Sequence, residues 1–185
     1  MTRSLLLSVS IGLVGAALLH IVIVLALPGW AGRDAFTRVA ALGETGQFYA
    51  LANEANPTGL ANEDPHIRTA VCRFDVSERP VRILTSGDVP LWTVVAYDSA
   101  SNETYSMNDR SSIGVNVDIV FVTRPQMLQL RRVMPQALER AVLVELGDPE
   151  GFVALRAIAP APSQEPAARD FVSGASCAPF DIDPA

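Results

Sequence analysis

The chain has 185 residues and a formal charge of −6, and its fourteen basic residues are all Arg. An acidic chain without a basic cluster is a poor nucleic-acid binder, so no nucleic-acid partner is expected. Its two His and two distant Cys match no zinc spacing, and no glycine-rich phosphate loop or nucleophile elbow occurs, so neither a metal nor a cofactor is expected.

Leu5 to Leu27 is a run of 23 residues without Asp, Glu, Arg or Lys, fifteen of them Leu, Ile or Val. At ~1.5 Å per residue a helix of this length reaches ~34 Å, enough to cross a hydrocarbon core of ~30 Å. A cleaved signal peptide is the competing reading, but its apolar region is usually about 7–15 residues long. The run predicts a retained transmembrane helix over 5–27, ended by Pro28 and Gly29, with Trp30 at the membrane–water interface. Its lipid bilayer is the first expected partner.

Arg3 and the terminal amine precede this helix, and Arg33 and Arg38 follow it, so the positive-inside count is nearly balanced. The cysteines decide the orientation. Cys72 and Cys177 both lie in the soluble part, where they can form one long-range disulfide in an oxidising compartment. That places residues 1–4 in the cytoplasm and the rest in a bacterial periplasm, anchored in the inner membrane. The alternative is a pair of free buried thiols in a cytosolic domain.

Asp34 is placed to cap a short helix ending near Leu42. Residues 28–70 form a juxtamembrane segment, and 43–68, rich in Gly, Asn, Pro and acidic residues, read as extended chain crossing a domain surface. A β-rich core is expected over 71–160. Val81 to Thr85 is a short strand. Leu91 to Tyr97 is apolar on both faces, hence central, and Asp98 to Asn102 turns it into a second arm, Glu103 to Met107. Val117 to Thr123 is a further strand with Val117, Ile119 and Phe121 on one side.

Thr123 and Pro125 then start a helix whose stripe is Met127, Leu128, Leu130 and Val133, with Arg131 and Arg132 facing water. A second helical turn is expected over 135–140. Ala141 to Leu146 and Gly151 to Ala159 read as a hairpin joined by Gly147-Asp148-Pro149-Glu150. Residues 161–185 are a Pro-rich tail in which Ala167 to Ser173 forms a last helix returning Cys177 to the sheet. The fold class is therefore α+β, mainly β: one N-terminal transmembrane helix, then a mostly antiparallel β-sheet domain with one or two short helices.

No catalytic residue is assigned. The candidates for ligand or partner contact are Trp92, Tyr97, Asp98, Tyr105, Asn108, Asp109 and Arg110, all around one hairpin and expected to meet at its end. Two carboxylates beside a Tyr and an Arg suit acid–base work. The plainer alternative is that Asp98, Asn102, Asn108 and Asp109 bond to nearby backbone amides as turn residues do, and that Arg110 pairs with Asp109 or caps a strand end. Within the apolar run, Ser8, Gly12 and Ala16 recur every four residues as a small-residue stripe, and His20 is an ionisable group at depth. Together they are candidate contacts to a transmembrane partner.

Several segments carry a family likeness: the anchor ending His20-Ile21-Val22, Cys72-Arg73-Phe74-Asp75-Val76, Pro90 to Asp98, Tyr105-Ser106-Met107-Asn108-Asp109-Arg110, Pro125-Gln126-Met127-Leu128 and Ala175-Ser176-Cys177-Ala178-Pro179. The chain resembles the small membrane proteins of alphaproteobacteria assigned to domain-of-unknown-function family 1254, and shares the anchor and sheet pattern of the sister family 1214. The resemblance implies membrane attachment, a β-rich outer domain, Cys72 and Cys177 as a matched pair, and a neighbouring membrane protein of the sister family as partner. It transfers no catalytic residue. The expected function is that of a cell-envelope accessory or interaction protein. The rival readings are a periplasmic binding module for a small apolar or lipid-derived ligand held near Trp92 and Tyr97, and a hydrolase-like enzyme using the hairpin carboxylates.

Overall fold

The computed structural model describes the chain except residues 1, 31–34, 55, 63, 113–115 and 183–185, and except the side chains of 27–30 and 116. Two compact units result, Met1–Asp34 and Ala35–Ala185. The first is one helix, α1 (Thr2–Trp30), apolar and long enough over Thr2–Ala26 to cross a membrane. It runs on past the expected stop at Pro28 and Gly29. A proline removes one backbone donor, and a long helix already propagating bridges that loss for a few residues. The interfacial place expected of the Trp30 side chain, and the capping role of Asp34, lie outside the described residues.

The second unit is a two-sheet sandwich, and the chain as a whole is α+β with mostly β content. Its elements are α2 (Ala35–Ala40), β1 (Tyr49–Ala50), β2 (Ile67–Asp75), β3 (Val81–Ser86), β4 (Leu91–Asp98), β5 (Glu103–Asn108), β6 (Asn116–Val122), α3 (Arg124–Arg132), β7 (Val142–Glu145), β8 (Glu150–Ile158), α4 (Glu165–Ser173) and β9 (Ser176–Pro179). Single 3₁₀ turns cover Gln136–Leu138 and Pro162–Gln164. Sheet A has the order β1-β2-β8-β4-β5 and is antiparallel throughout; sheet B has the order β7-β6-β3-β9, with β6 and β7 parallel.

Period-2 alternation explains the packing. Cys72 and Phe74 of β2, Trp92, Val94 and Ala96 of β4, and Val153 and Leu155 of β8 point inward from sheet A. Ile83 of β3 and Val117, Ile119 and Phe121 of β6 point inward from sheet B, and all join one core. The Phe74 and Phe121 rings stack across the two sheets at 4.9 Å. α4 closes one side of the core, its Phe171 ring 6.3 Å from Trp92. Each such aromatic contributes about 1.5–3 kcal/mol by leaving water. β8 is buried on most of both faces, which is why Gly151 to Ala159 reads as an almost continuous apolar run. Gly151 leaves room there: a Cβ would come within 2.7 Å of Phe74 Cζ and closer still to the Tyr97 carbonyl.

Cys72 on β2 and Cys177 on β9 are bonded, so a disulfide ties sheet A to sheet B over 105 residues of sequence. In the chain-entropy account a loop of that length stabilises by about 4–5 kcal/mol.

Two expectations are corrected. Ala141 to Leu146 and Gly151 to Ala159 are strands, but they do not pair. β7 lies beside β6 in sheet B and β8 between β2 and β4 in sheet A, so 146–149 crosses between the sheets. Gly, Asp and Pro favour any tight reversal, and the available sheet edges decide whether it is a hairpin or an arch. In α3 only Met127 and Leu130 of the expected stripe are buried, while Leu128 is 54% and Val133 67% exposed. A nine-residue helix touches the sheet along one narrow line, and Val133 already caps it in extended conformation. The helix starts at Thr123, whose N–H donates to Gln126 Oε1 at 2.8 Å. Gln126 Nε2 donates onward to the Val76 carbonyl at 2.8 Å.

Candidate functional site

The hairpin does not gather its seven candidates. β4 pairs with β5 from Thr93–Asn108 to Tyr97–Glu103, so Asp98 sits at one end of the ladder and Asn108, Asp109 and Arg110 at the other. At ~3.3 Å per residue the two ends are more than ~10 Å apart, and the acid–base pair expected of Asp98 and Asp109 is not assembled. Asp98 instead holds its own turn, Oδ1 accepting from Ala100 N at 3.0 Å and Asn102 N at 2.8 Å. Asn108 Oδ1 accepts from Arg110 N and Ser111 N at 3.1 and 3.0 Å. Asp109 N donates to the Trp92 carbonyl at 3.3 Å, while its Oδ1 is buried with no partner among the described residues. Arg110 is exposed.

Strand parity separates the aromatics. Trp92 points into the core, 2% exposed, so it is not on a ligand-accessible surface. Tyr105 packs at the edge of the same core, where burial raises its pKa. Tyr97 alone faces outward from sheet A, stacked on Phe152 at 4.8 Å. On α1, Ser8, Gly12, Ala16 and His20 are exposed; Ser8 Oγ donates back to the Ser4 carbonyl at 3.0 Å. Among the described residues no group of three or more His, Cys, Asp or Glu side chains gathers.

The site that the structure does build lies on the outer face of sheet A. Its floor is three cross-strand rows: Arg73–Phe152–Tyr97, Val71–Ala154–Val95 and Thr69–Arg156–Thr93. Its roof is α2 and the irregular chain to residue 62, which lays Phe36, Val39, Leu42, Leu51 and Leu60 over the floor. Between them is a cleft of about 510 Å³, within the usual size of small-molecule sites.

Buried Asn62 pins the roof down. Its Nδ2 donates to the Ile67 and Asp64 carbonyls at 2.5 and 3.1 Å, and its Oδ1 accepts from Thr69 Oγ1 at 3.1 Å. At the far end Ser101 adopts φ 63°, a left-handed conformation unusual for serine, and its Oγ accepts the Phe36 N–H at 3.2 Å.

Most of the lining is apolar, with Arg156 as its cation. Arg156 is half-buried and makes no side-chain hydrogen bond or ion pair among the described residues. Asp64 also lines the cleft, but its Oδ1 accepts the His66 N–H at 2.8 Å. Arg73, at the end of the floor, lies 6.0 Å from the Phe36 ring, its buried Nε without a hydrogen-bond partner among the described residues. An apolar trough with an uncommitted guanidinium in its lining can hold an apolar body that ends in an anionic group. Sequence reading missed Arg156. The available signal was a single Arg inside the apolar strand Gly151 to Ala159.

No protein-family model and no curated protein matches the chain. Among the solved structures similar to parts of it are two. The VPA0106 protein from Vibrio parahaemolyticus shares 12% identity over 63% of this chain and 28% of its own, with a TM-score of 0.49. An uncharacterised protein from Burkholderia cenocepacia shares 16% identity over 55% of this chain and 29% of its own, with a TM-score of 0.37. The chain thus spans under a third of either.

Proposed function

We propose that this is a single-pass inner-membrane protein of the bacterial envelope, N-terminus cytoplasmic and sandwich periplasmic, which binds a small amphiphilic anion on the outer face of sheet A. The observation that carries the reading is Arg156, half-buried in an apolar cleft of about 510 Å³ and without a side-chain partner among the described residues. The anchor is supported by α1, and the compartment by the Cys72–Cys177 bond, which suits oxidising surroundings. Likeness to family 1254 belongs to the same proposal. So does an accessory role, in which Ser8, Gly12, Ala16 and His20 pair α1 with a membrane protein of the sister family.

The test is equilibrium dialysis of radiolabelled decanoate against the full-length protein in phosphatidylcholine nanodiscs, with empty discs as background. Saturable binding above background is expected, weakened about tenfold or more by Arg156→Gln through loss of a charge-assisted contact. Binding equal to that of empty discs overturns the reading.

A further inference from the structure

The outer side of sheet B carries a second unassigned surface. Residues 124–140 hold Arg124, Arg131, Arg132 and Arg140 against the single acid Glu139, in a chain whose net charge is −6. All four arginines are exposed, and none makes an ion pair or side-chain hydrogen bond among the described residues. The same segment exposes Leu128 by 54%, Val133 by 67% and Met134 by 44%. Outside α1, the one other large apolar side chain so exposed among the described residues is Leu84, which points outward from the same sheet. Solvated helix faces do not normally combine bare Leu, Val and Met with uncompensated Arg; segments that lie in a lipid headgroup layer do.

Gln126 bonds to the Val76 carbonyl, Val76 N to the Pro149 carbonyl, Ser99 to Asp148, and Phe36 N to Ser101 Oγ. Within the sandwich, that chain of contacts puts the start of α3 at the same end as Phe36.

We infer that α3 and the residues just after it form a membrane-contact surface for anionic lipid, with Leu128, Val133 and Met134 among the acyl-chain ends and Arg131 and Arg132 on the phosphates. Guanidinium groups match phosphate oxygens in pairs, which favours Arg for this role. Each basic residue near an anionic leaflet raises occupancy of the surface about fivefold. The inference rests on the membrane anchor of the proposed function but not on the cleft.

The test uses full-length protein carrying ¹³C-methyl Met, in nanodiscs of phosphatidylglycerol or of phosphatidylcholine, each doped with a headgroup nitroxide lipid. Buried Met107 is the internal reference. In phosphatidylglycerol the Met134 methyl should broaden several-fold more than Met107, and in phosphatidylcholine much less. Arg131→Glu with Arg132→Glu should cut the broadening about tenfold or more while leaving the Met107 line in place, which reports an intact fold. A sharp Met134 line in phosphatidylglycerol, or equal broadening in both lipids, overturns the inference and leaves the patch to a protein. Failure to enter discs at all overturns the anchor as well, so the two failures are distinguishable.

Discussion

Arg82 and Arg156 occupy matching places on opposite sides of the sandwich. Each points outward from a strand with neighbours on both sides, β3 in one sheet and β8 in the other. Arg82 is paired: Nε and Nη2 each lie 2.8 Å from a carboxylate oxygen of Asp118, and Nη2 reaches the Ala137 carbonyl at 3.0 Å. The Asp118 bond raises its pKa even against the opposing effect of burial. Arg156 has only Thr69 and Thr93 beside it in register. The covers differ in the same way. Over sheet B, α3 and a 3₁₀ turn press Met127, Leu130 and Leu138 onto Val120 and Val122. Over sheet A, the short α2 covers only a part, and the irregular chain after it lays apolar side chains at uneven spacing and leaves a cleft. A helix delivers side chains at a fixed period and seals a sheet; a Gly- and Asn-rich segment does not, and the space it leaves is where an unpaired charge is tolerated.

The sharpest way to break this contrast is to remove one leucine from each cover. Leu130→Ala, at a fully buried site, should lower unfolding free energy by about 2–5 kcal/mol in urea titrations. Leu60→Ala, beside existing space, should cost less than about 1.5 kcal/mol, since little new cavity is created. Equal losses would mean that the cover of sheet A is as tightly packed as that of sheet B.

The sequence carried some of this contrast and hid the rest. α3 was legible because Thr123 and Pro125 encode a helix start locally. The β4–β5 hairpin was legible because a β-branched and aromatic run meets an Asp-to-Asn turn. The arch at 146–149 was not, because turn residues state that a chain reverses and not which edge it then joins. The inward place of Trp92 was hidden for a related reason. Leu91 to Tyr97 is apolar on both faces, so parity alone does not say which face is the core. The cleft was hidden more deeply, since its roof has no periodicity and its floor is assembled from strands far apart in sequence.

A milder test exchanges the charges. Asp118→Ala should cost about 1–2 kcal/mol, discounted because both partners keep roughly a fifth of their side-chain surface in water. Arg156→Gln should stay within about 0.5 kcal/mol of the parent, because no partner is left behind. A loss at Arg156 as large as at Asp118 would show that the guanidinium is structural.

The smallest effect belongs to a pair on neither cover. Glu165 bonds to Arg68 at 2.7 Å and to Arg169 at 2.6 Å, and both bonds, Arg68 first, hold its pKa below the ordinary carboxylate value. A lowered folded pKa adds stability above the unfolded value, and that gain is lost as pH falls through the folded one. Glu165→Gln should therefore flatten slightly the acid limb of stability against pH and leave neutral-pH differences between the two covers unchanged. An unaltered limb would show that the pair is too exposed to matter.

The Cys72–Cys177 bond also has a mechanical meaning. It closes the chain into a covalent ring that contains most of the sandwich and leaves α1, α2 and the roof of the cleft outside it. Tension applied through α1 against a held sandwich loads residues 35–66 before it reaches β2, roughly 32 residues or about 110 Å of extended chain. At Cys72 the load passes through sulfur to β9, and the ring beyond it cannot lengthen by more than its own slack. The roof can thus be stripped by force while the two sheets stay linked, so the cleft loses its cover before the fold fails.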